Sequence, residues 1–397
     1  MATVVELSAV EGFILDDPIA GVLNNTEYTL GGVVFNDITE YLVEAVVTRG
    51  KNRELQRFRA GKASIELRNE TRAFDPLYGS SPYAGNIIPR REVRITTDGE
   101  RVFTGIISDW NLEYTPDNQS RAEIVALDEF TNLARQTTTG GTAVEQLTGA
   151  RVEAILDQES VNWPADRRDI DAGASTLGTD VITGNALDYL QKVASDSEQG
   201  QLFVSKAGDL VFRGRLDATP TSGSYTIFAD DGTGIPYTNV KVSYGTELLY
   251  NRAEVRSAAG TAIATNNRSQ IAYGISEIGL DTLLSDVDQL ANMASFLVQK
   301  YADPEYRFEG IELNLDNMTG AQRAAVLALE LGDVILTRFT PNSVGSQIAQ
   351  FGQVIRIDND IRRFRHDMII GVQSLDWNFL VLDDAEFGII GTNNLAF

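Results

Sequence analysis

Phe74-Asp75-Pro76-Leu77-Tyr78-Gly79-Ser80-Ser81-Pro82-Tyr83-Ala84-Gly85-Asn86-Ile87-Ile88-Pro89-Arg90-Arg91 is the stretch that decides how this chain is read. Its three prolines fix φ and lack a backbone donor, so neither a helix nor a central strand runs through it. Phe74, Leu77, Tyr78, Tyr83, Ile87 and Ile88 are more apolar bulk than a solvated loop carries, so they read as anchors. A segment of strand-like alternation, Ala63 to Leu67, stops just before it, and Val93 to Ile95 opens another just after. The stretch therefore predicts a long, ordered connection pinned to a β body. It contains no nucleophile–base pair and no metal-ligand spacing.

Working outward, the first third of the chain reads as β. Residues 1–30 read as mostly irregular. Strand patterns follow at Val33 to Phe35, Tyr41 to Thr48, Val102 to Ile107 and Ala122 to Leu127. Thr97-Asp98-Gly99-Glu100 puts Asp-Gly between two strands, a hairpin signal. Beyond residue 130 the pattern changes. Thr148 is placed to cap a helix with Val152, Ile155 and Leu156 on its apolar stripe, and a second helix starts near Asn185. Gln201 to Arg213 reads as a hairpin turning at Ala207-Gly208. After residue 246, β patterns return at 252–256, 311–315, 334–337, 352–358 and 368–373. One helix lies among them from Ser285 to Tyr301, its apolar face made of Val287, Leu290, Met293, Ala294 and Leu297. Asp303-Pro304 ends it. These patterns predict a mainly β chain with an α+β insertion. Its divisions are an N-terminal arm with an antiparallel barrel or sandwich (1–130), an α+β domain (131–245), a second β region with one helix (246–375) and a C-terminal docking segment (376–397). Leu15-Asp16-Asp17 and Leu382-Asp383-Asp384 open two short similar runs, each with glycine and two branched apolar residues behind it.

The composition removes whole classes of chemistry. There is no cysteine, hence no disulfide, thiolate zinc site or cysteine nucleophile. One histidine exists, His366, beside a strand pattern, and a solvated strand-end residue is its expected role. Histidine triads and histidine-rich metal sites are thereby excluded or confined to one position. Met1 to Glu11 shows no basic, then apolar, signal-peptide pattern, and no apolar run reaches membrane-spanning length. The net charge of −23 gives a surface that repels nucleic acid. Against that background, residues 49–72 hold eight basic side chains and three acidic ones. Such a patch serves either as a solvated strand face or as a partner for the acidic face of another subunit. Asp230-Asp231-Gly232 reads as a turn, not as a calcium loop. A carboxylate pair for glycoside hydrolysis cannot be singled out among fifty-six acids.

Arg49 to Leu55, Phe74 to Tyr78 with Ser81-Pro82-Tyr83, and Pro89 to Ile95 carry a resemblance, together with Phe103-Thr104-Gly105, Asp109-Trp110, Tyr244-Gly245, Asn251-Arg252, Tyr273-Gly274 and Leu331-Gly332-Asp333. In this order they resemble the minor tail proteins of long-tailed phages, in particular the tail-hub or baseplate-hub family. The resemblance implies two hub-type β-barrels flanking a small α+β domain. It implies a structural virion protein made in the host cytoplasm and placed at the tail tip, with no catalysis and no cofactor. Its partners would be copies of itself (a trimer, with a hexamer as alternative), distal tail or tail tube proteins and other minor tail proteins, with DNA passing through unbound. A hexameric distal tail adaptor and a host cell-wall carbohydrate-binding or hydrolysing tail protein are the alternatives. The interface residues expected on this basis are Arg49, Lys51, Arg53, Arg57, Arg59, Tyr78, Tyr83, Arg90 and Arg91.

Overall fold

In the computed structural model, which describes residues 1–10, 34–216 and 225–375, most strands join one thirteen-stranded sheet. Its first-half strands are β1 (Thr3–Val10), β2 (Val34–Asp37), β3 (Leu42–Gly50), β4 (Arg59–Arg68), β5 (Glu92–Thr97), β6 (Glu100–Glu113) and β7 (Arg121–Leu127). Residues 168–213 give β8 (Arg168–Ile170), β9 (Gln201–Val204) and β10 (Leu210–Arg213), a separate three-stranded sheet near helices α1 (Thr148–Leu156) and α2 (Ala186–Gln191). β11 (Thr226–Ala229) and β12 (Asn239–Tyr244) return to the large sheet. β13 (Arg252–Ser257), β14 (Gly260–Thr265) and β15 (Glu277–Asp281) form another small sheet, accompanied by α3 (Asn267–Tyr273) and α4 (Val287–Tyr301). β16 (Tyr306–Asn314), α5 (Gly320–Ala328), β17 (Val334–Phe339), β18 (Ile348–Arg362) and β19 (Arg365–Ser374) complete the described chain.

The large sheet follows from alternation. On β3 the buried residues are Ala45, Val47 and Arg49, and on β4 they are Gly61, Ala63, Ile65 and Leu67. Ile65 lies opposite Ala45 on one side and Ile124 on the other, and Ala63 lies between Val47 and Ala126. Large and small side chains thus alternate across the ladder and fill one face. The same face continues onto β18, where Ile357, Asn359 and Ile361 are buried opposite Arg49, Val47 and Ala45.

That β18–β3 pairing joins the two β regions, expected as hub-type β-barrels, through one sheet. Among the described residues the hydrogen-bonded path runs β12-β16-β19-β18-β3-β4-β7-β6-β5-β1-β2, with β17 and β11 branching from β18, and neither half closes on itself. β18 is long enough to serve both: its start pairs with β17 and its end with β3. The junction requires a glycine. Gly50 has φ of +107°, and a Cβ there would sit 2.1 Å from the Ile355 carbonyl oxygen, which accepts instead from Lys51 N at 2.8 Å.

Other expectations change as well. Thr3–Val10, taken as irregular, is a strand, paired with β5 and β2. The Asp98-Gly99 turn does join β5 to β6, with φ of +49° and +89° at its two residues. Thr148 is the first residue of α1, and its hydroxyl donates to Ser175 O and Glu198 Oε2. Asp286 caps α4 by accepting from Gln289 N at 2.9 Å, one residue after the expected Ser285, and Val287 is exposed. Thr319 and Gln322 form a capping box before α5. The two Leu-Asp-Asp runs lie outside the described residues.

His366 is 1% exposed, not solvated, because it faces the core side of β19 opposite Ile361. One ring nitrogen, Nε2, lies 2.9 Å from Asn359 Oδ1. Burial pushes the imidazole down to about 4 from an ordinary 6.5, against the pull of Asp316 and Asp367. The fold therefore holds the neutral ring. Above pH 6.5 this costs nothing; as pH falls toward 4 the unfolded chain takes up the proton first, and stability drops by up to about 3 kcal/mol.

Two outcomes follow. The urea-unfolding free energy of the natural chain falls between pH 6.5 and 4 by more than that of His366→Gln, the difference being about 3 kcal/mol at most. Gly50→Ala lowers stability at neutral pH by about 3 kcal/mol or more, through clash and a strained φ together.

Candidate assembly surface

Residues 69–91 fold as successive turns. Arg72 N, Asp75 N, Tyr78 N, Ser81 N and Ala84 N each donate to the carbonyl three residues earlier, at 2.9–3.2 Å. This is how a segment with three prolines satisfies its backbone without a ladder. Asn69 Oδ1 accepts from Phe74 N, Asp75 Oδ1 from Leu77 N, and Ser81 Oγ donates to Ala73 O. The inward side chains then build an aromatic cluster. Phe74 is fully buried, stacks on Tyr83 at 5.3 Å and on Trp110 at 5.9 Å, and meets the edge of Tyr41 at 5.0 Å. Ile87 is buried with them.

The outward side chains form a different surface. Leu77 is 89% exposed, Tyr114 53% and Ile88 43%. They adjoin one another through shared partners. Asp75 binds both Leu77 N and the Tyr114 hydroxyl, and Trp110 Nε1 donates to Ile88 O at 3.3 Å. Trp110 and Tyr114 are four residues apart, hence on the same side of the extended chain. Cations edge this apolar face. Arg72, half exposed, pairs with Asp75 at 2.6 Å, and its guanidinium lies 4.9 Å from the Tyr78 ring centre. That pairing holds the Asp75 carboxyl below the usual carboxylate range. Arg90 is exposed, with φ of +70° and its N–H on Ile107 O.

The expected interface residues therefore separate. Arg90 and the half-buried Tyr78 and Arg91 lie in this connection, while Tyr83 is spent in the aromatic core beneath it. Arg59 is exposed on β4. Arg53 is exposed and meets Glu247 at 2.6 Å, and Arg57 pairs with Asp196.

Arg49 and Lys51 are corrected from surface to interior, at 3% and 8% exposure. Arg49 donates to Val204 O at 2.9 Å and Glu330 Oε1 at 2.6 Å. Lys51 donates to Glu54 O at 2.6 Å. Burial lowers the Lys51 ammonium to about 8. Burial alone would raise Glu54, but Lys300 at 2.5 Å and the Tyr301 hydroxyl at 2.9 Å hold it below its ordinary value. These groups tie the β3–β4 loop to α4 and to the turn before β17.

An acid-lined groove runs beside that joint, between β9–β10 and the turn at Glu330 to Asp333. Its four carboxylates are already engaged: Asp169 with Arg213, Asp209 with Arg167 at 3.9 Å, Glu330 with Arg49, and Asp333 Oδ2 with Glu330 N. No group of three or more His, Cys, Asp or Glu suited to a metal ion occurs among the described residues. The groove's polar groups are thus committed to internal pairing, and the exposed apolar side chains Leu77, Ile88 and Tyr114 make the candidate surface.

Tyr114 and Trp110 are part of this surface although the stretch 74–91 does not include them. The alternation 110, 112, 114, running past the end of β6, carries the signal. Glu54 and Lys300 are too far apart in the chain for spacing to suggest their pairing.

No protein-family model and no curated protein matches the chain. Solved structures do. A tail protein from Neisseria meningitidis MC58 has a TM-score of 0.61 at 10% identity, over 95% of this chain and 97% of its own. The 43 kDa tail protein of prophage MuSo2 from Shewanella oneidensis has a TM-score of 0.57 at 14% identity, over 93% and 95%. At these identities the likeness is one of fold: over more than nine-tenths of its length the chain is similar to these two tail proteins.

The division between anchor and surface gives a direct test. Phe74→Ala costs about 3–5 kcal/mol of unfolding free energy, whereas Leu77→Ser changes it by less than about 0.5 kcal/mol, both measured by urea titration.

Proposed function

We propose that this chain is a structural protein of a phage tail and that it forms the hub at the tail tip. Copies close a ring that joins the tail tube to the tip and lets DNA pass. The observation that carries this is the likeness of fold to two tail proteins over more than nine-tenths of the chain. The site chemistry agrees with it. Within the 49–72 segment Arg49 is buried against Glu330, Lys51 is buried with its ammonium on the Glu54 carbonyl, and Arg53 and Arg57 pair at the surface with Glu247 and Asp196, and the net charge of −23 repels a passing polyanion. Three copies, each contributing two β halves, would adapt a six-fold tube to a three-fold tip. A ring uses heterologous contacts, in which one patch meets a different patch on the neighbour. The outward face of residues 74–91 is our choice for one of those patches.

Native mass measurement and electron microscopy of the purified chain, or of tail particles, decide the matter. The expected result is a ring of three copies around an axial channel. Six copies would reassign the chain to a distal adaptor, and a persistent monomer in the particle would overturn the ring. Release of reducing sugar from host cell wall by the purified chain would overturn the non-catalytic role.

A further inference from the structure

The face made by Leu77, Ile88 and Tyr114 is apolar, held in place by the turns and aromatic cluster beneath it, and edged by Arg72 and Arg90. A rigid apolar face of this kind loses little entropy when it is covered. The same chain carries a sequence that complements it. Residues 376–397 carry Asp376, Asp383, Asp384 and Glu386 and no lysine or arginine, together with Trp377, Phe379, Phe387, Ile389, Ile390 and Phe397. We propose that residues 376–397 of one copy dock on the Leu77–Ile88–Tyr114 face of the next copy. This inference rests on the ring reading above and names the contact that would close it.

Charge selects the site. A chain of net charge −23 repels its own copies, so an acidic apolar segment is best received where cations stand beside exposed apolar surface, as here and at Phe364 with Arg363 in the β18–β19 turn, which offers one apolar side chain where this face offers three. Screening confines such attraction to charges within about 8 Å at physiological salt; the cations adjoining this face are Arg90, two residues from Ile88, and Arg72, which lies over the Tyr78 ring and already shares its charge with Asp75. In the docked state the acids of 376–397 face these guanidinium groups, and its aromatic and branched residues cover Leu77, Ile88 and Tyr114.

Topology favours a neighbour. β19 ends at Ser374, opposite Gly352. The face lies beyond the other end of the sheet, where β4 ends at Arg68 opposite Arg121, β6 ends at Glu113 opposite Arg121, and the β18–β19 turn follows Arg362 opposite Glu44. The ten residues of β19 separate the two ends by about 30 Å. Donor and acceptor at opposite ends of one protomer are the arrangement of a head-to-tail contact. The span is no obstacle, since a segment of this length reaches up to about 70 Å when extended.

The absence of cysteine makes the test direct. Two full-length chains with different tags, one Leu77→Cys and one Phe387→Cys, are mixed and treated with a mild oxidant. Ile263→Cys, exposed on the small sheet, replaces Leu77→Cys as control. The expected result is an interchain disulfide formed at least tenfold faster than in the control. Adding Arg90→Glu to the Leu77→Cys chain, or excess synthetic peptide of residues 376–397, slows it several-fold. Linking at the control rate while the same mixture forms rings by electron microscopy overturns the inference and leaves the ring standing. Intrachain closure of a chain carrying both cysteines, without interchain product, overturns it as well. If neither rings nor links form, both readings fail.

Discussion

The pairing of β18 with β3 is the constraint on which the large sheet depends. Seven residue pairs, from Arg356↔Gly50 to Arg362↔Glu44, bring together strands about three hundred residues apart. Without them each β half would present an open edge, and open edges invite pairing with other chains. The ladder depends in turn on the close approach of Gly50 to the Ile355 carbonyl. Arg49, the residue before that glycine, sends its side chain inward to Val204 O and Glu330. One short segment thus fixes the first β half to the second and to the β9–β10 hairpin. Lys206 in that hairpin adds to the joint, its Nζ on the carbonyls of Leu327 and Ala328 at the end of α5.

Much of this was legible in the sequence, and the part that was not has a physical reason. The strands β3 to β7 and β16 to β19 advertise themselves by alternation, and the ordered nature of residues 74–91 by prolines set among aromatic residues. The burial of Arg49 was not legible, because alternation on β3 puts position 49 on the inward face but a cation there reads as an outward residue until its partner, Glu330, is known. His366 misled for the same reason: its burial comes from β18 opposite it, not from its neighbours in sequence. The small β13–β15 sheet was seen only in its first strand, since β14 and β15 are half exposed and mix polar with apolar residues. The capping box at Thr319 and Gln322 is a local signal, carried by residue types three apart. Within the assembly surface, Tyr78, Arg90 and Arg91 belonged to the stretch singled out, whereas Tyr114 and Trp110 joined it through the far end of β6.

The fate of the 49–72 cations bears on the whole electrostatic character of the chain. Three of the eight basic side chains, Arg49, Arg53 and Arg57, are paired with acids from other elements, and Lys51 is buried. Burying such charges is tolerated where each finds partners, and removing one partner would leave the other stranded. The chain as a whole stays strongly acidic, at a net charge of −23. An apolar face edged by Arg72 and Arg90 stands out against that background, both in its chemistry and in its position at one end of the sheet.

The long β18–β19 hairpin, flanked by β3 and β16, has a mechanical consequence. A pull directed along these strands loads many cross-strand hydrogen bonds side by side, so they yield only together. A pull across the strands opens them one pair at a time, beginning at the ends of the hydrogen-bonded path, β2 and β12. The protein is therefore stiff in one direction and peelable in another.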